Sequence, residues 1–377
     1  MSATRITNVR DPSTGSATSI LLALGAVADD AGDAARELDG GGAWLAPGLI
    51  DLQLNGAFGA DFSSDPAAAW VVGERLAATG VTAFLPTIVS SPLATYDRAL
   101  DAWAAAPSAV GAVPLGWHFE GPMLSPARAG AHDPAHLRLP DGVDSEGWSA
   151  AHGVRMVTLA PELPGALDVA RRLTERGVVV STGHTDAAAD CAEPAIEAGT
   201  RYATHLMNAM RGIDARDPGI AAGLLVDARV TLGVIADGHH LADTTLCVIW
   251  QLAHWRLSLV SDGIAAFGLG PGICRLGGGD VHVAPDGSAR RPDGRLAGAV
   301  CTLPDGLRRL RATTGASLAE ALRTVTEVPA TLLGLEDRGH LRVGARADAV
   351  LLDDELSVLA TFVAGELIYA RAELGWA

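Results

Sequence analysis

Lysine is absent from this chain: all 28 of its basic residues are arginine. That excludes a Schiff-base lysine, the lysine of a P-loop and the carboxylated lysine that can bridge two metal ions. Positive charge is scarce in general. Set against 44 acidic residues it leaves a net charge of -16, whereas a nucleic-acid surface needs clustered cations. Cysteine is sparse, and Cys191, Cys247, Cys274 and Cys301 lie far apart with no C-x-x-C spacing. That argues against a disulfide framework and reads as reduced, buried thiols in a cytoplasmic protein. No apolar run approaches the ~18 residues that cross a bilayer, so no membrane partner is expected. Residues 19–28 follow Arg5 and Arg10 and have the outline of a signal-peptide core. With this cysteine pattern they read instead as an early strand of a small sheet.

What is present is a large apolar fraction, 49% of 377 residues, enough for one large domain and a small one. Eight short apolar segments recur, at 49–56, 83–90, 116–121, 155–162, 178–184, 202–209, 231–238 and 257–263. Continuous apolar runs of this length suit parallel strands buried on both faces. Ala-rich amphipathic stretches lie between most of them, at 67–79, 166–176, 186–198 and 243–254. Residues 277–297 break the rhythm with Gly, Pro and Asp turns and read as a hairpin excursion. Helical pattern resumes at 302–313 and 317–333. The expected fold is α/β, a (β/α)8 TIM barrel over 49–340. A small β-sandwich domain is expected from both chain termini, 1–48 and 341–377.

The apolar segments end in chemistry. Glu120, His184 and His205 close the third, fifth and sixth, and Asp262 closes the eighth. Residues at the C-terminal ends of barrel strands converge on one site. Two imidazoles and a carboxylate, with a position left for water, describe a catalytic metal site. Taken singly, Glu120 beside Pro122 reads as a turn-capping carboxylate, and Asp262 before Gly263 as a helix cap. Taken together, Asp262 faces the metal site as a general base and later a general acid. The donor set suits one divalent cation, zinc foremost, with iron, cobalt or manganese also compatible.

The order of motifs adds a resemblance. Pro47-Gly48 through Asp51, Gln53, Asn55 and Gly56, Phe119-Glu120-Gly121-Pro122, Gly130-Ala131-His132, Gly183-His184, Thr204-His205 through Asn208 and Ala209, Arg216-Asp217-Pro218-Gly219, Asp237-Gly238-His239-His240 and Leu296-Ala297-Gly298 run through nearly the whole chain. This series resembles the amidohydrolase superfamily and, within it, the N-acetylglucosamine-6-phosphate deacetylases. Many amidohydrolases carry His-x-His on the first strand for a second metal. The Gln53-x-Asn55 found here resembles the branch with one metal.

The resemblance implies hydrolysis of the acetamide of a phosphorylated N-acetyl amino sugar, giving glucosamine 6-phosphate and acetate. It implies substrate contacts at His132, Asn208, Ala209, Arg216, His240, Leu296, Ala297 and Gly298, with His132 polarising the acetyl carbonyl. It further implies a homodimer in which Arg216 reaches the neighbouring active site. Arg216 offers the planar fork that phosphate recognition needs. Glu162 and Asp237 are expected to brace other side chains, and His239 to pack. His118, His136, His152, His254, His282 and His340 read as surface or structural, and the loop 266–272 carries no assigned role. Open alternatives are the galacto epimer of the same substrate, a different amidohydrolase substrate (a cyclic amide or an N-acyl amino acid), and a non-catalytic sugar-phosphate sensor.

Overall fold

The computed structural model describes residues 3–29 and 36–376. Strands β1 (Thr4–Arg10), β2 (Ala17–Ala23), β3 (Ala26–Ala28) and β4 (Arg36–Pro47) come first. The barrel is built from β5 (Leu49–Leu54), β8 (Val81–Val89), β10 (Trp117–Glu120), β11 (Val154–Leu159), β12 (Val179–Thr182), β13 (Thr200–Ala203), β14 (Thr231–Val234) and β15 (Leu257–Leu259). Minor strands β6 (Gly56–Ala57), β7 (Ala60–Asp61) and β9 (Val113–Pro114) lie between them. An antiparallel excursion, β16 (Gly272–Leu276), β17 (Gly279–Val283) and β18 (Ala289–Arg290), follows. Strands β19 (Ala349–Leu352), β20 (Val358–Val363) and β21 (Glu366–Ala370) end the series.

The eight barrel strands run parallel in the spatial order β5-β8-β10-β11-β12-β13-β14-β15. A parallel bridge from Leu54 to Gly263 joins the first strand to the chain leaving the last, which makes this a (β/α)8 barrel. Strand alternation decides which residues meet the helices. On β10, Trp117 and Phe119 enter the large apolar cluster with Trp70, Tyr96 and Trp148. His118 and Glu120 alternate with them and are left for the barrel interior.

Helices α1 (Ala68–Leu76), α2 (Leu93–Ala104), α3 (Ala166–Glu175), α4 (Ala192–Glu197), α5 (Ile220–Val226), α6 (Asp243–Ala253) and α7 (Leu303–Thr314) lie between and after these strands. The start of α7 is set by a capping box between Thr302 and Asp305, and its end by Gly315 in the left-handed conformation. The stretch 317–333, read as one helix, is two: α8 (Leu318–Arg323) and α9 (Glu327–Leu332). Thr324 and Thr326 interrupt it, their hydroxyls bonding back to the carbonyls of Ala321 and Leu322. The stretch 186–198 is helical in α4 only, after a 3-10 turn at Ala189–Cys191.

The terminal strands form one separate seven-stranded sheet, ordered β21-β20-β19-β4-β1-β2-β3. Residues from both ends of the chain, among them Ile6, Leu22, Leu45, Leu351 and Phe362, share its apolar core. Residues 19–28 supply β2 and β3 of this sheet. The excursion has three strands rather than two and begins at Gly272, the last residue of the loop 266–272. Its apolar side packs with Val89 and Ile264, which sets it over the C-terminal face of the barrel. All four cysteines are free, and each is half-buried rather than buried. No helix among the described residues is long and apolar enough to cross a membrane.

Candidate active site

Glu120 is the last residue of β10, while His184 and His205 each stand two residues beyond the ends of β12 and β13. The strands stop early because the backbone turns left-handed at these residues: φ is 50° at His184, 29° at His205 and 47° at Asp262. Such conformations are costly for residues with a Cβ and gather at functional sites. Here they turn three side chains toward one point. Glu120 Oε1 lies 3.2 Å from His184 Nε2 and 3.0 Å from His205 Nε2, and the two Nε2 atoms are 3.1 Å apart.

The tautomers favour a cation at that point. His184 Nδ1–H donates to the Arg128 carbonyl at 2.9 Å, which leaves the Nε2 lone pair free. Burial opposes ionisation of Glu120, but the imidazoles of His132, His184 and His205 beside it hold its carboxyl well below the usual range. Burial would lower the His205 pKa, yet the Glu120 carboxylate beside it reverses the direction and raises it. These three residues form a buried cluster suited to a divalent metal ion. The residues present therefore fit the metal that the donor pattern implies.

Asp262 faces this cluster. Its Oδ1 accepts from Gln53 Nε2 at 3.0 Å and Asn55 Nδ2 at 2.8 Å, and Gln53 Nε2 also donates to Glu120 Oε1 at 3.1 Å. The Gln53-x-Asn55 pair is thus spent on positioning two carboxylates. Burial, and then the negative charge of Glu120, push the Asp262 carboxyl up to about 6. One turn of the strand lower, burial pushes Asp51 up to about 7, while it accepts the Ser261 hydroxyl at 2.5 Å.

His132 comes from the loop after β10. The Ser90 amide donates to its Nδ1 at 3.1 Å, so the ring proton sits on Nε2, 3.7 Å from Glu120 Oε2. Burial lowers its pKa to about 4, so His132 is a neutral donor near pH 7. Its loop is held from above: Arg295 Nη1 donates to the Gly130 carbonyl and Arg291 Nη2 to the Ala131 carbonyl, each at 2.6 Å. Gly130 itself has φ +59°, and a Cβ there would lie 3.0 Å from His184 Cε1.

A cavity of about 480 Å³ gathers these groups, and its wall includes Glu120, His132, His184, His205, Asp262, Asn208, Ala209, His240, Leu296 and Gly298. His240 is oriented by Asp237, whose Oδ2 accepts from Nδ1 at 2.7 Å. Burial opposes the Asp237 charge, but His240 holds it down at about 2. Two residues expected at the substrate are not in the wall of this cavity. Ala297 is fully buried in the core beneath the excursion. Arg216 is exposed on the loop 211–219 and is not part of the cavity wall. His239, expected to pack, hydrogen-bonds to the Asp286 carbonyl at 3.0 Å. His118 is structural, with ring contacts to the Leu52 carbonyl and the Thr158 hydroxyl. Glu162 accepts the Thr185 hydroxyl and the Asp186 amide, bracing the turn after His184.

Sequence reading gave no role to Asp51, to Ser90 or to three arginines of the excursion, Arg290, Arg291 and Arg295. The first two act through packing across strands far apart in the chain. The arginines had a signal: a cationic cluster in an acidic chain, directly before Leu296.

A parallel barrel with a Glu-His-His cluster and a facing aspartate at its C-terminal end defines a metal-dependent hydrolase of the amidohydrolase type. The Amidohydrolase family model matches residues 44–368, and the chain belongs to that family. Within it the chain belongs with the N-acetylglucosamine-6-phosphate deacetylases. The protein of that name from Bos taurus is 41% identical over 358 residues, covering 90% of this chain and 86% of the bovine one. The N-acetylgalactosamine-6-phosphate deacetylase of Shewanella is 32% identical over 340 residues, covering 88% and 85%. The crystal structure of N-acetylglucosamine-6-phosphate deacetylase from Pasteurella multocida superposes with a TM-score of 0.91 at 28% identity, covering 98% of this chain and 100% of that one.

Proposed function

We propose that this protein hydrolyses the acetamide of N-acetyl-D-glucosamine 6-phosphate, releasing acetate and glucosamine 6-phosphate. The observation that carries the reading is the convergence of Glu120, His184 and His205 opposite Asp262 and His132 in one cavity. Glu120, His184 and His205 would hold one divalent cation, with zinc the first choice for two imidazoles and a carboxylate. Such a cation supplies Lewis acidity and lowers the pKa of a neighbouring water.

The remaining work falls to the protein. Asp262, held by Gln53 and Asn55, takes a proton from the attacking water. His132 donates its Nε2–H to the acetyl oxygen as negative charge develops there. Asp262 then returns the proton to the sugar nitrogen, which leaves as the amine. His240 and Asn208 offer hydrogen bonds to the rest of the sugar phosphate. Arg216, exposed and outside the wall, is suited to reach a neighbouring subunit of a homodimer, and Leu296 and Gly298 line one side of the substrate channel with the Ala297 side chain buried behind them. The free cysteines suit a cytoplasmic location, and residues 1–48 with 341–377 suit a small domain packed on the barrel 49–340.

The test is acetate release from N-acetylglucosamine 6-phosphate before and after chelation, with the unphosphorylated sugar alongside. Chelator-sensitive release from the phosphorylated sugar alone supports the reading. Release only from the galacto epimer, which the Shewanella relative makes the second reading, replaces the substrate but keeps the chemistry. No release from either by metal-loaded protein overturns it.

A further inference from the structure

Neighbouring barrel strands share hydrogen-bonded ladders except where the barrel closes, between β15 and β5. Across that seam the backbone supplies one bridge, Leu54 to Gly263, with the Asn55 and Gly56 amides donating to the Gly263 carbonyl at 2.7 and 3.1 Å. A side chain adds the rest. Asp51 on β5 is buried, 2% exposed. Its Oδ1 accepts the amides of Gln53 and Ser261, each at 3.2 Å, and its Oδ2 accepts the Ser261 hydroxyl at 2.5 Å. Ser261 Oγ in turn accepts the Gly263 amide at 3.1 Å. The residue between them is Asp262, at φ 47°. A residue with a Cβ stays in that region only where its surroundings over-determine it.

We infer that Asp51 is a positioning residue for the reaction: through Ser261 and Gln53 it pins both sides of the closing seam and so aims the Asp262 carboxylate at the metal site. The inference rests on the deacetylase reading, in which Asp262 carries the proton. Asp51 is not in the cavity wall, so it reaches the chemistry only through these neighbours. On one side it anchors the backbone of Gln53, whose Nε2 donates to Asp262 Oδ1 and Glu120 Oε1. On the other it anchors the residue that leads directly into Asp262. Without Asp51 the Ser261 hydroxyl keeps only the Gln53 carbonyl at 3.4 Å as an acceptor, too long for a firm bond. Its buried amide loses the acceptor it has. An orphaned buried donor is unfavourable, so the seam shifts to pair it again and carries Asp262 along. A displacement of about 1 Å at a reacting group costs on the order of a hundredfold in rate.

The experiment compares Asp51→Ala, Asp51→Asn and Ser261→Ala in metal-loaded enzyme. Asp51→Ala should lower kcat about a hundredfold, with KM and metal content near those of the parent. Asp51→Asn keeps an oxygen for both amides and an NH2 that can donate to Ser261 Oγ, and should recover most of the loss. Ser261→Ala removes the hydroxyl alone and should cost about tenfold; it carries the test if Asp51→Ala does not fold. Each alanine variant is then combined with Asp262→Asn. A residue acting through Asp262 has little left to disturb there, so the added loss should be under about threefold. Hydrogen exchange reads the seam without turnover: in Asp51→Ala the amides of 257–263 should exchange about tenfold faster, and those of 155–159, across the barrel, at the parental rate. Parental kcat in a folded Asp51→Ala overturns the inference, as does a loss confined to KM, a full additive loss on Asp262→Asn, or equal acceleration of exchange in both segments, which would mark general loosening. No acetate release by the unmutated enzyme counts against the deacetylase reading instead, and the exchange comparison still decides whether Asp51 holds the seam.

Discussion

Replacing Asp262 with asparagine separates proton transfer from everything else this side chain does. Oδ1 of Asp262 accepts Gln53 Nε2 at 3.0 Å and Asn55 Nδ2 at 2.8 Å, and the carbonyl of an asparagine can accept both. Size and shape are kept. Burial, which pushes the carboxyl up to about 6, no longer has a charge to oppose. Fold, metal content and sugar-phosphate affinity should therefore stay near those of the parent. What disappears is the group that can take up and return a proton. A positioned acid-base group is worth ~10²–10⁴ in rate, and Asp262 is asked to act twice. A loss of roughly a thousandfold in kcat, about 4 kcal/mol of barrier, follows. The assay is coupled detection of acetate, with metal content by emission spectrometry and affinity by calorimetry on the same preparation. A variant keeping more than about a tenth of kcat with its metal in place would refute the role, since that is far above the loss expected of a removed base.

Further expectations test the groups around it. Asn55 donates to the ionised form of Asp262, so Asn55→Ala should move the acid limb of kcat/KM upward by about one pH unit, the equivalent of one charge-assisted hydrogen bond; a limb that stays put or moves down contradicts this. Glu120→Gln removes the anionic ligand, and chelator competition should show metal affinity down by more than about a hundredfold; an unchanged affinity would mean the ion is held elsewhere. Asp51, pushed by burial from 3.8 up to about 7, binds its proton more tightly folded than unfolded. Its contribution to stability is complete below its unfolded pKa and is lost as pH rises through the folded one. Urea unfolding across that window should show Asp51→Asn gaining on the parent as pH rises, and a constant difference would refute the assignment.

The barrel was legible because each buried parallel strand is a continuous apolar run, as in residues 81–89, and because the chemistry-bearing residues close those runs. Strand ends were overestimated where the backbone turns left-handed at His184, His205 and Asp262, since His and Asp adopt a positive φ more often than most residues but still in a small minority of cases. Glu120, His184, His205 and Asp262 could be picked out because their side chains are rarely spent in an apolar segment without cause. The partners that fix their protonation could not. The Ser90 amide that sets the His132 tautomer and the Arg128 carbonyl that sets His184 are backbone groups, supplied by almost any residue type. Gln53 and Asn55 read as lost metal ligands, and only their contact with Asp262 gives them work. The placing of Ala297 and Arg216 at the substrate rests on motif alone, which carries no information on which way a side chain faces.

The sheet formed by the two ends of the chain has a bearing on synthesis. Strand β4 pairs on one side with β1 and on the other with β19, so its second edge stays open until the whole barrel and then Ala349–Leu352 have left the ribosome. During that interval a row of unpaired amides and carbonyls is available to any other extended segment, including the same strand on a neighbouring nascent chain. The barrel between them can close first, and β19 then completes a sheet begun by β1 and β4.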